Sequence, residues 1–372
     1  MARTLRVEAI TQRLQERGWT QAQLAEAVGV SNQTVTNWLA GSFPRPRALL
    51  KLAVTLGLAI DKLVETRDAA EPVVAFRKKA GAKTTDEHIN KARGIGYLLK
   101  PLVSALPETR QLRTLITSPS CDYAQLRKAV EQTRSELGIG QHAVLSYSHL
   151  IGQFKKNAAI LVPVLWGKKG NHENALHIRL PDEDVTFVFL NLDVRIEDFK
   201  FWMAHELAHV YTPELAGTEK GEDFADAFAG ALLFPHECAE SAYREACGHP
   251  KSAAITVLSR YAHKHQVSLN TVHQQVKRFA EQARLRLLPV DDKTIHRVRN
   301  SVPAQTVSKA LFDPLPPEAS SYISVASSVF QSDFFVALER MVKERGVGAG
   351  YIQQVLDVPL KDSMSIHGAL VV

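Results

Sequence analysis

Two histidines and a glutamate stand in the spacing His-Glu-x-x-His within an apolar, helix-compatible run over residues 201–211. They are His205, Glu206 and His209. Side chains four residues apart lie on one face of a helix, so both imidazoles can bind one zinc ion while Glu206 reaches a water at the metal. The spacing therefore predicts the core of a zinc peptidase.

A catalytic zinc site also needs a third protein ligand and an open fourth position. Residues 219–235 have helical periodicity, with an apolar face on one side and two acids, Glu222 and Asp226, on another. Pro235 is typical of the end of such a helix. The two acids are candidates for completing the site, and the alternative is that they belong only to a solvated helix face.

Residues 202–209, followed by residues 222–235, resemble the ImmA/IrrE metallo-endopeptidase family. The second motif of that family typically runs Glu-x-Glu-Ala-Asn/Asp-x-Phe-Ala-x-x-Leu-Leu-Met-Pro, which we align on Pro235. The resemblance, which covers roughly residues 123–240, implies that Glu222 is the third zinc ligand and that Asp226 orients a ligand. Phe224 stands at the second glutamate of the motif, a departure that would undermine the site only if that second acid were required.

A strand is predicted to lead into this helix. Residues 185–192 are rich in β-branched and aromatic side chains, and residues 175–180 are the predicted hairpin partner. In zinc peptidases such a strand can hold an extended substrate by main-chain hydrogen bonds, which favours a catalytic over a structural zinc. Asp198, just before Phe199, is the predicted N-cap of the helix.

The resemblance implies a peptidase mechanism with zinc (Zn2+) held by His205, His209 and Glu222. Glu206 is the predicted general base, which takes a proton from the attacking water and passes it to the leaving amine. A donor to the oxyanion of the tetrahedral intermediate is also needed. The sequence does not rank the candidates for that donor, which are Tyr147, His149, His172, His177 and Tyr211.

The N-terminal region has a second recognisable pattern. An amphipathic helix is predicted over residues 5–17, followed by two short helices that flank a turn at Gly29, with Thr20 and Ser31 as their caps. This pattern resembles the Xre/lambda-repressor helix-turn-helix family over about residues 5–65. The alternative is a small helical bundle that only dimerises or binds protein.

Polar side chains remain outside the predicted core of these helices. Amides on a recognition helix suit the reading of adenine in the major groove, and arginines after it suit phosphate contacts. The predicted DNA-binding residues are Gln21, Ser31, Asn32, Gln33, Thr34, Asn37, Arg45 and Arg47.

The composition, 372 residues with 45% hydrophobic and 23% charged, leaves room for two or three domains. We predict a mainly α fold with a small β-sheet (α+β). The predicted domains are a helix-turn-helix bundle over residues 1–66, a linker or arm over 67–95, a zincin-like peptidase domain over 96–240 and a helical C-terminal region of unknown role over 241–372. A strand packed on the next domain is the alternative interpretation of the linker.

The net charge of +6 tolerates nucleic acid without requiring it. The three cysteines are too few and too scattered for a disulfide framework or a second zinc site. The N-terminus lacks a secretory apolar core and no run approaches membrane-spanning length, so we expect a cytoplasmic protein without a membrane partner.

The two resemblances together imply a transcriptional regulator that binds double-stranded operator DNA as a homodimer. Its peptidase would cut a helix-turn-helix repressor, or its own linker, in a stress response. The alternative is a DNA-binding repressor or antitoxin whose peptidase fold is only a sensor or dimerisation module. Glu206 favours the first hypothesis, because a pure sensor needs no general base. A structural zinc protein is disfavoured, because structural sites are usually closed by four ligands and rich in cysteine.

Overall fold

The computed structural model describes residues 2–39, 42–67, 71–77, 86–107, 115–166, 175–303 and 305–371. The chain divides into two compact units, Met1–Glu71 and Pro72–Val372. Helices predominate, and the larger unit contains a small mixed sheet, so the predicted fold class is confirmed. Among the described residues, no helix combines the length and the apolar character needed to cross a bilayer.

The first unit is a helical bundle closed by a two-stranded antiparallel sheet. Its elements are β1 (Ala2–Leu5), α1 (Val7–Arg17), α2 (Gln21–Val28), α3 (Asn32–Leu39), α4 (Pro46–Leu56), α5 (Ile60–Leu63) and β2 (Val64–Arg67). Its core includes Ile10, Leu24, Val35, Trp38 and Leu52. The predicted helix over residues 5–17 is too long by two residues, because Leu5 pairs with Val64 as the end of β1.

The caps of the two short helices follow the predicted chemistry. Thr20 and Gln23 form a reciprocal capping box at the start of α2. Ser31 Oγ accepts a hydrogen bond of 3.1 Å from the backbone N–H of Thr34 at the start of α3. Gly29 ends α2 with a φ of 76°, a conformation that glycine adopts without strain. These local bonds fix the turn between the two helices.

The second unit is built on a four-stranded sheet with the order β3-β5-β6-β4. Its strands are β3 (Val73–Arg77), β4 (Ala159–Val164), β5 (Ala175–Leu180) and β6 (Val185–Asn191). β5 pairs antiparallel with β3 and with β6, and β4 pairs parallel with β6. The predicted hairpin of β5 and β6 is present.

The predicted linker over residues 67–95 contains regular structure where it is described. Val73–Arg77 is an edge strand of the sheet, and a helix begins at Asp86. This arrangement corresponds to the alternative interpretation, a strand packed on the next domain. Its physical basis is burial, because Ala75 is 3% exposed in the sheet.

The helices described up to the end of the second predicted motif are α6 (Asp86–Val103), α7 (Tyr123–Glu136), α8 (Tyr147–Lys156), α9 (Ile196–Tyr211) and α10 (Glu219–Leu233), with a 3-10 turn at Pro213–Leu215. Of these, α6, α8 and α9 pack against strands of the sheet. α9 and α10 pack against each other along their lengths. α9 also lies against β5 and β6, so the sheet supports the helix of the His-Glu-x-x-His motif.

The remaining helices continue the same hydrophobic core. They are α11 (His236–Ala246), α12 (Lys251–His265), α13 (Leu269–Gln282), α14 (Asp292–Ser301), α15 (Val307–Leu311), α16 (Ala319–Ser328), α17 (Phe334–Arg345), α18 (Ala349–Leu356) and α19 (Leu360–Val371). One cluster of buried residues extends from Ala92 to Leu370, so it includes parts of both the predicted peptidase domain and the predicted C-terminal region. The Trp166 indole, for example, donates a hydrogen bond of 2.8 Å to the carbonyl oxygen of Leu356.

Candidate metal centre and recognition helix

Helix α9 brings His205, Glu206 and His209 to the interior of the second unit. The helix begins after Arg195, three residues earlier than the predicted N-cap Asp198 requires, so that prediction is wrong. Asp198 lies in the first turn, where its carboxylate accepts a hydrogen bond from Arg299. An acid in the first turn still interacts favourably with the helix dipole.

Helix α10 is fixed at its first turn, next to the acid that completes the site. Thr218 caps the helix by accepting a hydrogen bond of 3.0 Å from the backbone N–H of Gly221. A Cβ at Gly221 would collide with the carbonyl oxygen of Leu215, so this position needs glycine for close approach of the two backbones. Glu222 is the next residue, so the cap at Thr218 and the close packing at Gly221 position its backbone.

The three predicted ligands converge on one point. Glu222 places one carboxylate oxygen 3.4 Å from Nε2 of His205 and the other 3.2 Å from Nε2 of His209. The two Nε2 atoms are 3.1 Å apart. Ligands at ordinary zinc distances on a tetrahedral ion lie about 3.3 Å from one another. Both the donor types and the spacing therefore fit a zinc ion held by two imidazoles and one carboxylate.

The burial of these groups is uneven. The His205 and His209 side chains are 0% and 1% exposed, whereas that of Glu222 is 27% exposed. Burial lowers the pKa of His205, but hydrogen bonds with Asp226 and Glu222 outweigh this and raise the pKa to about 9. Burial raises the pKa of Glu222. Hydrogen bonds with His205 and His209 more than offset this effect and hold the pKa of Glu222 well below its usual range. Glu222 is therefore a carboxylate at neutral pH.

Asp226 lies on the other side of the His205 ring from the ligand cluster. Its Oδ1 is 3.0 Å from Nδ1 of His205. A proton on Nδ1 shared with this carboxylate leaves the lone pair of Nε2 free for a metal, which is the usual orienting arrangement in zinc sites. His209 has no equivalent, since among the described residues its Nδ1 has no hydrogen-bond partner.

The departure from the family motif at Phe224 does not affect the ligand set. The Phe224 side chain is 2% exposed, and its ring lies 5.7 Å from that of Phe228. It packs in the core, and the three candidate ligands converge without a second glutamate at this position.

Glu206 lies beside the ligand cluster and next to a further histidine. Its Oε2 is 3.4 Å from Nδ1 of His177 on β5, which is longer than a strong hydrogen bond. Both side chains are almost fully buried, at 2% and 1% exposure. Burial lowers the pKa of His177, so its imidazole is neutral beside the carboxylate. The sequence singled out His177 only as one of five oxyanion candidates.

Three other oxyanion candidates are engaged elsewhere. The Tyr147 hydroxyl donates to the carbonyl oxygen of Ile196 at 2.8 Å, and the Tyr211 hydroxyl donates to Gln153 at 2.9 Å. His149 belongs to the capping box of α8. His172 lies outside the described residues. Of the described candidates, His177 is the one whose ring nitrogen lies within 4 Å of the predicted base.

The predicted DNA-contacting residues lie on and around α3 of the first unit. Val35 and Trp38 are buried and attach the helix to the core. The side chains predicted to contact DNA are exposed, apart from Thr34, which is half-buried: Gln21, Ser31, Asn32, Gln33, Asn37, Arg45 and Arg47. Gln33 donates a hydrogen bond of 3.0 Å to the amide oxygen of Asn37, so these two amides are already oriented together. Both amides therefore lie on the exposed face of α3.

Two family models match separate parts of the chain. Residues 10–63 match the model of the helix-turn-helix family. Residues 168–277 match the model described as the IrrE N-terminal-like domain, a range that includes all three candidate ligands and Glu206. No curated protein matches the chain.

Proposed function

From the presence of an Xre-type helix-turn-helix region and an ImmA/IrrE-like peptidase domain in one chain, we propose a DNA-binding regulator with zinc-dependent endopeptidase activity. The observation that supports the enzyme is the convergence of His205, His209 and Glu222, with Glu206 on the same helix as the two histidines. Two imidazoles and one carboxylate leave a fourth position for the reacting groups.

The chemistry is hydrolysis of a peptide bond. Zinc, when bound by these three side chains, supplies Lewis acidity that activates a water and polarises the scissile carbonyl. Glu206 takes one proton from the water as the water oxygen adds to the carbonyl carbon. It then delivers that proton to the amide nitrogen as the C–N bond breaks. Asp226 orients His205, and the neutral His177 ring lies beside the Glu206 carboxylate.

The DNA-binding role is supported by the exposed face of α3. Its amide side chains suit base edges in the major groove, and Arg45 and Arg47 suit phosphates. We propose that the protein binds double-stranded operator DNA as a homodimer in the cytoplasm. The peptidase then cuts a helix-turn-helix repressor or the protein's own linker in response to stress.

A second candidate function is a repressor or antitoxin whose peptidase fold serves only as a sensor or dimerisation module. The observation that favours it is the burial of the general base, since Glu206 is 1% exposed. A general base has to be within hydrogen-bond reach of the attacking water, and a pure sensor has no such requirement. The two functions differ in whether any condition produces cleavage.

The test compares the wild type with Glu206→Gln, His205→Ala and Glu222→Ala. We expect about one zinc per chain, measured by elemental mass spectrometry, in the wild type and in Glu206→Gln, and a large loss in the two ligand variants. Intact-mass analysis of the protein alone and with candidate repressors should then detect cleavage by the wild type only. Full cleavage by Glu206→Gln would refute the base assignment, and a zinc-loaded wild type that cuts nothing would favour the sensor.

A further inference from the structure

We propose that β3 occupies the sheet edge along which a substrate peptide binds, and that the peptidase stays closed until β3 leaves β5. This inference rests on the proposed peptidase function. It concerns a segment that follows the first compact unit directly, since that unit ends at Glu71 and β3 begins at Val73.

The register of the sheet brings β3 next to the candidate base. Ala75 is the antiparallel partner of His177, and directly opposite residues of such a pair project on the same face. On that face, His177 lies 3.4 Å from Glu206, and its ring centroid is 5.6 Å from that of His209. The His177 side chain therefore lies between Ala75 and both the candidate base Glu206 and the candidate ligand His209.

The backbone of β3 also lies against the loop that joins the two helices of the metal centre. Gly217, with a φ of 74°, lies in that loop between α9 and α10. A Cβ at this position would be only 2.8 Å from the carbonyl oxygen of Val74, so the glycine permits a close approach of the two backbones. The strand is thus held between β5 and the loop that leads to Glu222.

The burial of the catalytic groups indicates that this arrangement is a closed state. Glu206 and His177 are each 1% exposed, and His209 is 1% exposed. A general base has to come within hydrogen-bond distance of the water it activates at a bound peptide. While β3 is paired with β5, the main-chain N–H and C=O groups along that edge of β5 are not available to a peptide.

An edge strand is also the part of a sheet that is easiest to exchange. β3 has five residues, and among the described strands it pairs with β5 alone. If β3 leaves, the backbone N–H and C=O groups of β5 become available to another antiparallel strand, the mode called β-strand addition. The structure assigns the occupant as an extended polypeptide with a small residue opposite His177, where Ala75 lies in the closed state.

One test measures whether the edge of β5 is open, independently of catalysis. The probe is a fluorescein-labelled peptide with the sequence of residues 71–77, titrated by anisotropy into zinc-loaded protein that carries Glu206→Gln. Ala75→Pro removes the N–H of the residue opposite His177 and so disfavours pairing of β3, whereas the matched control Ala75→Ser keeps that N–H. We expect the proline variant to bind the peptide at least about ten-fold more tightly, because the tethered strand no longer competes.

The second test compares the oxidised and reduced forms of one double-cysteine variant. Val73 and Arg179 are register partners, so Val73→Cys with Arg179→Cys places two thiols across β3 and β5. Cys121→Ser and Cys247→Ser remove the exposed native thiols. In a protein with Glu206 intact, oxidation should lower the cleavage of fluorescein-labelled β-casein at least about ten-fold, since the competing strand is then fixed, and TCEP should restore it.

The outcomes distinguish the occlusion by β3 from the proposed peptidase function. Peptide binding that is equal in the proline and serine variants, or undetectable in both, would overturn the occlusion by β3. Casein cleavage that is equal before and after oxidation would overturn it as well. Peptide that binds the proline variant but not the serine variant, when no form cleaves casein, a candidate repressor or itself, would support the occlusion and refute the peptidase function.

Discussion

Asp226 Oδ1 lies 3.0 Å from Nδ1 of His205, the ring nitrogen that does not face Glu222. This contact directs the lone pair of the other nitrogen toward the predicted zinc position. We therefore expect Asp226 to act on a bound metal through His205 and not as a ligand. The candidate third ligand, Glu222, lies one turn earlier on the same helix α10, so one element carries both side chains.

Asp226→Ala should weaken zinc binding about 10- to 100-fold, because His205 loses the acceptor that fixes its orientation. Competition with a fluorescent chelator measures the affinity. Asp223→Ala is the matched control, since it removes an exposed acid from the same helix. Equal losses in the two variants would mean that net charge, and not the contact with His205, accounts for the effect.

The recognition helix leads to a prediction with two distinct results. Gln33→Ala should cost about 1–3 kcal/mol at one operator base pair and relax specificity there, because an amide can read adenine bidentately. Arg47→Ala should weaken binding to all sequences and reduce the slope of log K against log salt by about one. Once the operator is known, titrations of a set of single-base variants at several salt concentrations separate these results. A uniform loss in Gln33→Ala would contradict the assignment to a base edge.

The features that the sequence predicted correctly are those encoded by neighbouring residues. The hairpin of β5 and β6, the capping of α2 by Thr20 and the helices that carry the two peptidase motifs depend on local propensity and spacing. Local pattern placed all three candidate ligands on helices, and the family resemblance identified Glu222 as the third. The structure brings these ligands together.

The features that the sequence missed depend on contacts between distant parts of the chain. Asp198 has the residue type of an N-cap, but its carboxylate interacts with Arg299 on α14, and the helix begins three residues before the position that this cap predicts. The pairing of Ala75 with His177, and the approach of His177 to Glu206, likewise have no local signal. Alternating hydrophobicity can suggest a strand, but it does not identify the strand's partner.

A buried arginine gives a prediction about stability. Arg134 on α7 is 0% exposed and donates hydrogen bonds to the carbonyl oxygens of Leu232 at 2.8 Å, Gly140 at 2.7 Å and Ala143 at 2.5 Å. Arg134→Met should lower the free energy of unfolding by at least about 3 kcal/mol, because three carbonyls lose their donor. Urea denaturation measures the change.

Arg127→Met is the matched control for this substitution. Arg127 lies on the same helix, but its side chain is 41% exposed in its ion pairs with Glu131 and Glu237. Exposed pairs contribute little, so we expect a loss of about 1 kcal/mol or less. Similar losses in the two variants would show that the carbonyl network of Arg134 does not stabilise the fold.

Lys200 on α9 gives a prediction about pH. The side chain is 0% exposed, and its Nζ donates a hydrogen bond of 2.9 Å to the carbonyl oxygen of His265. Burial, with a smaller effect from the charge of Arg134, lowers the pKa of Lys200 from 10.5 to about 8. Between these two values the unfolded chain holds a proton that the folded protein has released, so stability should rise with pH across this window.

Lys200→Met removes this titration while it keeps a long apolar side chain. The free energy of unfolding of the wild type minus that of the variant should therefore increase by about 2–3 kcal/mol between pH 8 and pH 10.5. Below pH 8 the difference should be constant, because the lysine is protonated in both states of the wild type. Urea denaturation of both proteins at several pH values measures it, and the tyrosines that also titrate near pH 10 are common to both. A difference that stays flat up to pH 10.5 would show that Lys200 keeps an ordinary pKa in the folded protein.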